Sequence, residues 1–136
     1  GSDIAVLAVG RCVPVACEAA RTVEEKYGCS IRVFDPVWLK PLPEEQILDI
    51  MKNFRFILSV EEGAVQGGFG SSLLEFACDR GLMGAFELCR IGVPDMFIEH
   101  ATQAEQRHDL FLDVDGIAEK LGQLAQKAGF SARSEE

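Results

Sequence analysis

Ile4-Ala5-Val6-Leu7-Ala8-Val9 is a continuous apolar run, bounded by Asp3 and Gly10. Six apolar residues without alternation predict a strand buried on both faces, as in a parallel sheet. A helical pattern follows. Pro14 suits a first turn, and Ala16, Ala19, Ala20, Val23 and Tyr27 form a stripe that ends at Gly28, placed for a left-handed cap. Ile31 to Phe34 is a short second strand. Three prolines in Asp35-Pro36-Val37-Trp38-Leu39-Lys40-Pro41-Leu42-Pro43 block both helix and ladder, so this connector is irregular, and Pro41-Leu42-Pro43 after Lys40 reads as a fixed turn. Trp38 within it is expected in the core, and its exposure would mark an interface anchor.

Pro43 opens a second helix, with Ile47, Leu48 and Met51 as its inner face, and Phe54 to Val60 reads as a third strand. Gly63, Gly67, Gly68 and Gly70 precede a third helix, expected to start at Ser71 or Ser72 and carry Leu73, Leu74, Ala77 and Cys78. Phe86 to Ile91 is a fourth strand. Thr102-Gln103-Ala104-Glu105 is a capping box for a short helix running to about Phe111. Asp113 precedes a last helix with Ile117, Leu121, Leu124 and Ala128 inward and Gly129 as its stop.

Strict alternation of strand and helix predicts a three-layer α/β sandwich around a mostly parallel sheet of four to five strands. The 136 residues fit one domain. Gly1 and Ser2 read as a vector-derived scar, residues 3–130 as the domain and 131–136 as a fraying tail.

Composition narrows the function. The chain is 48% hydrophobic and 26% charged, and 13 Lys+Arg against 22 Asp+Glu give −9. That balance excludes nucleic acid and anionic membrane surfaces as partners. Cys12, Cys17, Cys29, Cys78 and Cys89 have no metal or redox spacing and read as small buried side chains in a reducing compartment.

The loops after the strands' carboxyl ends share one rim, and sheets of this kind meet ligands and partners there. The rim carries Gly10 to Val13, Glu61 to Gly70 and Gly92 to Gln103. A glycine loop between strand and helix can cradle phosphate. Here, however, Phe69 and Gly70 replace the P-loop Lys and Ser/Thr, and Leu73 replaces the third dinucleotide glycine. Glu61 and Glu62 would repel an anion, and consecutive side chains diverge, so the pair reads as structural. His100 and His108 have no metal-spaced partner. His100 reads as a hydrogen-bonded structural residue near Asp95, Gln103 and Arg107. No G-x-S-x-G nucleophile elbow occurs.

Together Lys40-Pro41-Leu42, Gly67-Gly68-Phe69-Gly70-Ser71, Gly92-Val93-Pro94-Asp95-Met96-Phe97-Ile98, His100 to Gln103 with Glu105 and Arg107, and Leu112-Asp113 with Gly116-Ile117 resemble the transketolase C-terminal domain. Within that superfamily they most resemble the third domain of the 1-deoxy-D-xylulose-5-phosphate synthases. The resemblance runs from about Ile4 to Leu121. Ala101 stands where that family often has Gly, and an edge strand before Asp3 would be missing.

The resemblance implies a cytoplasmic (or plastid) thiamine diphosphate- and magnesium-dependent dimeric enzyme. It would join pyruvate to glyceraldehyde 3-phosphate on the way to isoprenoids, thiamine and pyridoxal. The family's cofactor sites lie in other domains, so no catalytic, cofactor or metal residue carries over to this chain. What carries over is packing against the preceding domains and a second subunit. The candidate interface is Glu62, Gly67, Gly68, Gly70, Asp95, His100, Gln103 and Arg107. Two alternatives stand beside it. One is the equivalent domain of transketolase or of a 2-oxo acid dehydrogenase component; the other is a free-standing flavodoxin-like module that binds a small molecule.

Overall fold

The computed structural model describes residues 2–94 and 102–134. Their order is β1 (Ile4–Ala8), α1 (Cys12–Tyr27), β2 (Ile31–Phe34), α2 (Glu44–Asn53), β3 (Phe56–Ala64), α3 (Phe69–Asp79), β4 (Glu87–Val93), α4 (Gln103–Asp109) and α5 (Val114–Lys127). The four strands are all parallel and run β2-β1-β3-β4 across the sheet.

β1 is central, and both its faces are covered. Ile4, Val6 and Ala8 join the core beneath α1 and α5, while Ala5 and Leu7 join the one beneath α2 and α3. All five residues are fully buried, which is why the run is apolar without alternation. Ala16, Ala19 and Ala20 lie buried along α1, and their small side chains let α1 lie close to the sheet and to α5. Gly28 ends α1 at φ 70° and returns its N–H to Glu24 O at 2.8 Å.

Several boundaries differ from those expected. Phe54 caps α2, and β3 continues beyond Val60 because its ladder with β4 resumes at Ala64↔Val93 after an irregularity. α3 begins at Phe69, two residues before Ser71. In α2 it is Ile50 that joins Ile47 and Met51 inside, with Leu48 half-buried. Cys78 is exposed, unlike the buried Cys12 and Cys29. Trp38 is 70% exposed and therefore no core residue. In the expected tail, Arg133 is held: its N–H donates to Lys26 O at 2.8 Å. No helix among the described residues is long and apolar enough to cross a membrane.

Candidate functional site

The rim is built at the carboxyl ends of β3 and β4. Strand alternation sends Glu61 inward and Glu62 outward. Glu61 is buried, and its carboxylate accepts the N–H of Phe69 at 2.8 Å (Oε2) and of Gly70 at 3.0 Å (Oε1). Those are the first two free donors of α3, so the position a phosphate would take is filled by the protein's own carboxylate. This also explains the early start of α3: the cap comes from eight residues upstream and not from an adjacent Ser.

The glycines around this cap have different causes. Gly67 adopts φ 73° with open space about it, a requirement of the turn itself. At Gly68 a Cβ would run into Ala64 O and lie 2.6 Å from Glu61 Oε2. Gly70 is pressed by the Arg90 side chain, 2.8 Å from where a Cβ would stand, and by Ser59 Oγ at 3.0 Å. Gly68 and Gly70 are thus both closely approached by atoms of the domain itself. Arg90 Nη1 donates to Val65 O at 3.2 Å and lies 3.3 Å from Ser71 Oγ, which itself donates to Val65 O at 2.8 Å. These bonds lace the turn to β4.

Outside the cap, Glu62 pairs with Arg107 of α4 at 2.9 Å. Arg11, Glu62, Gln103, Gln106, Arg107 and Leu110 line a shallow cleft of about 210 Å³. The fold therefore brings Glu62, Gln103 and Arg107 together, with Gly67, Gly68 and Gly70 at the adjoining turn. Asp95 and His100 lie outside the described residues. Thr102 closes the capping box of α4: its Oγ1 accepts Glu105 N–H at 3.2 Å, and Glu105 Oε2 accepts Thr102 N–H at 2.9 Å.

The chemistry available is limited. Cys12, at the start of α1, has its thiol pushed up to about 11, first by burial and then by Glu62, with Arg107 opposing and Glu61 adding. It stays protonated and is no nucleophile at neutral pH. Among the described residues no group of three His, Cys, Asp or Glu could hold a metal ion. Glu61 fills the start of α3 behind the glycine turn, so that helix start is closed to the diphosphate of thiamine diphosphate. Sequence reasoning missed Glu61 as the cap and Arg90 as the tie, and it placed Arg11 on the rim without singling it out. The signal for the first was an acidic residue closing a strand just before a Gly-Gly-x-Gly turn.

Comparison with known proteins agrees with this architecture. The family described as transketolase, C-terminal domain, matches residues 1–117. A 1-deoxy-D-xylulose-5-phosphate synthase of Nitratidesulfovibrio vulgaris (strain DP4) is 42% identical over 134 residues, 98% of this chain and 21% of its own length. The synthase of Lawsonia intracellularis is 39% identical over 93% of this chain and 20% of its own. The chain thus spans about a fifth of the curated relatives it matches. Among solved structures, one titled "Split gene transketolase, inactive beta4 tetramer" superposes with a TM-score of 0.79 at 27% identity. It covers 94% of this chain and 39% of that one.

Proposed function

The chain belongs to the transketolase C-terminal domain family, and we propose that it serves as the C-terminal domain of a 1-deoxy-D-xylulose-5-phosphate synthase. In that reading the whole cytoplasmic enzyme uses thiamine diphosphate and magnesium held elsewhere, and this domain performs no chemistry. Its rim, with Glu62, Gly67, Gln103 and Arg107 described and Asp95 and His100 beside them in sequence, faces the preceding domains and supports the dimer. The observation that carries the reading is 42% identity across nearly all of this chain to one fifth of a synthase. The Glu61 cap supports a non-catalytic role, since it leaves the glycine turn no place for an anion.

The test is a domain exchange. This chain replaces the last fifth of the Nitratidesulfovibrio vulgaris synthase, and turnover of pyruvate with glyceraldehyde 3-phosphate is measured. Restored turnover, with none from the isolated chain, is the expected result. A well-folded exchange enzyme without turnover, or turnover by the isolated chain, overturns the assignment.

A further inference from the structure

Asp35 to Pro43 leaves the carboxyl end of β2, so it opens on the same rim as the glycine turn. Its backbone is held locally. Asp35 Oδ1 accepts the Val37 N–H at 2.9 Å, and Trp38 N–H donates to Pro36 O at 2.6 Å. Val37 sits at φ 62°, where a β-branched residue is strained. The result is three consecutive apolar side chains turned to solvent: Val37 is 73% exposed, Trp38 70% and Leu39 37%. Strain and apolar exposure both cost stability.

We propose that Val37-Trp38-Leu39 is the anchor by which this domain docks into an apolar recess on the remaining part of the longer synthase polypeptide. This rests on the assignment to a synthase made above. The other four fifths or so of such a chain lies outside this domain. Size selects that occupant. Three side chains offer at most a few hundred Å², well short of the roughly 1,000 Å² a stable bimolecular interface needs. Covalent linkage supplies the difference, because a tethered surface meets its partner at about millimolar effective concentration. A net charge of −9 disfavours an anionic membrane. A fixed turn also loses little entropy on docking, and tryptophan is a preferred anchor at interface centres.

The experiment uses the exchange enzyme and the isolated chain, each with the native turn, Trp38→Ser or Val37→Asp. Protease release of the domain from the exchange enzyme is timed, and the isolated chains are melted, sedimented alone and sedimented with phosphatidylglycerol vesicles. Either substitution is expected to speed release at least fivefold without lowering the isolated chain's melting temperature by more than about 2 °C; Val37→Asp, which relieves the strained φ, can raise it. Equal release rates overturn the inference, as does release from the native-turn enzyme as fast as from the variants. An equal loss of melting temperature in the isolated chain overturns it too, since the turn is then structural. Self-association or vesicle binding of the isolated chain that Trp38→Ser abolishes assigns the turn to a second copy or a membrane instead. Turnover of the native-turn exchange enzyme reports separately on the parent assignment.

Discussion

The carboxylate of Glu61 lies where a side chain on Gly68 would have to go, with Oε2 2.6 Å and Oε1 2.9 Å from the Cβ position. The two residues are one device: the glycine makes room for the buried acid, and the acid satisfies the start of α3. Glu61→Ala leaves two buried N–H groups without acceptors, and the expected loss is about 2 kcal/mol. Glu61→Gln, which keeps one acceptor oxygen, should lose less. Urea unfolding midpoints with unchanged slopes would establish the order, and an unaltered midpoint for Glu61→Ala would contradict the cap. A larger residue at Gly68 should unfold this helix start before it affects any contact with another domain.

A second relationship gives the domain a pH dependence. His108 Nδ1 lies 2.7 Å from Asp113 Oδ2, joining the end of α4 to the start of α5. The His108 pKa is raised above its ordinary 6.5, first by the hydrogen bond to Asp113 and then by that carboxylate's charge, with Asp109 and Asp115 adding. For Asp113, burial acts upward but is outweighed by the hydrogen bonds from Gly116 and His108, leaving its pKa below the ordinary 3.8. A raised folded-state pKa contributes stability that is full below 6.5 and is lost as pH climbs through the folded value. The Asp113 contribution is present above 3.8 and lost on acidification. His108→Gln should therefore narrow the melting gap to the native chain between pH 5.5 and 8.5, with the native advantage at pH 5.5. A gap that is constant with pH would sink the pairing.

Local features were legible in the sequence, and those decided at a distance were not. Ile31–Phe34 was readable because β-branched residues end at a proline-rich turn, Gly28 because a helical stripe stops there, and the Thr102–Glu105 box because both partners sit within one turn. The start of α3 was not, since its cap is supplied by Glu61 across the glycine turn. The end of β3 was not, since pairing with Val93 carries the ladder to Ala64. For the rim, Glu62 and Arg107 were both expected at the interface, but their pairing with each other depends on how α4 lies against β3. Trp38 was misplaced because burial of a lone aromatic depends on which neighbours reach it, and it stands 70% exposed.

The cysteines should separate by rate. Cys78 is exposed on α3, whereas Cys12 and Cys29 are buried with thiol pKa values raised chiefly by burial. Reaction with a disulfide reagent at pH 8 should show a fast phase that Cys78→Ser removes, and Cys12 should react only on unfolding. A fast phase that survives Cys78→Ser and vanishes in Cys12→Ser would contradict the burial of the α1 start.

Val37 offers a direct measure of the strain in the turn. At φ 62° a valine pays about 1–3 kcal/mol that glycine does not. Glycine in turn gives back about 0.5–1 kcal/mol through the greater freedom of its unfolded chain. Val37→Gly in the isolated chain should therefore be neutral to stabilising by up to about 2 kcal/mol, read as a shift of the urea midpoint to higher concentration. Val37→Asn, which tolerates the left-handed region and keeps a side chain, should behave similarly. As the sole tryptophan, Trp38 reports whether the turn survives the change. Its emission should remain that of a solvated indole, open to iodide quenching, in native and variant alike. Destabilisation by both Val37→Gly and Val37→Asn would mean that the valine side chain is packed and not displayed. A blue-shifted emission in the native chain at low micromolar concentration would say the same of Trp38.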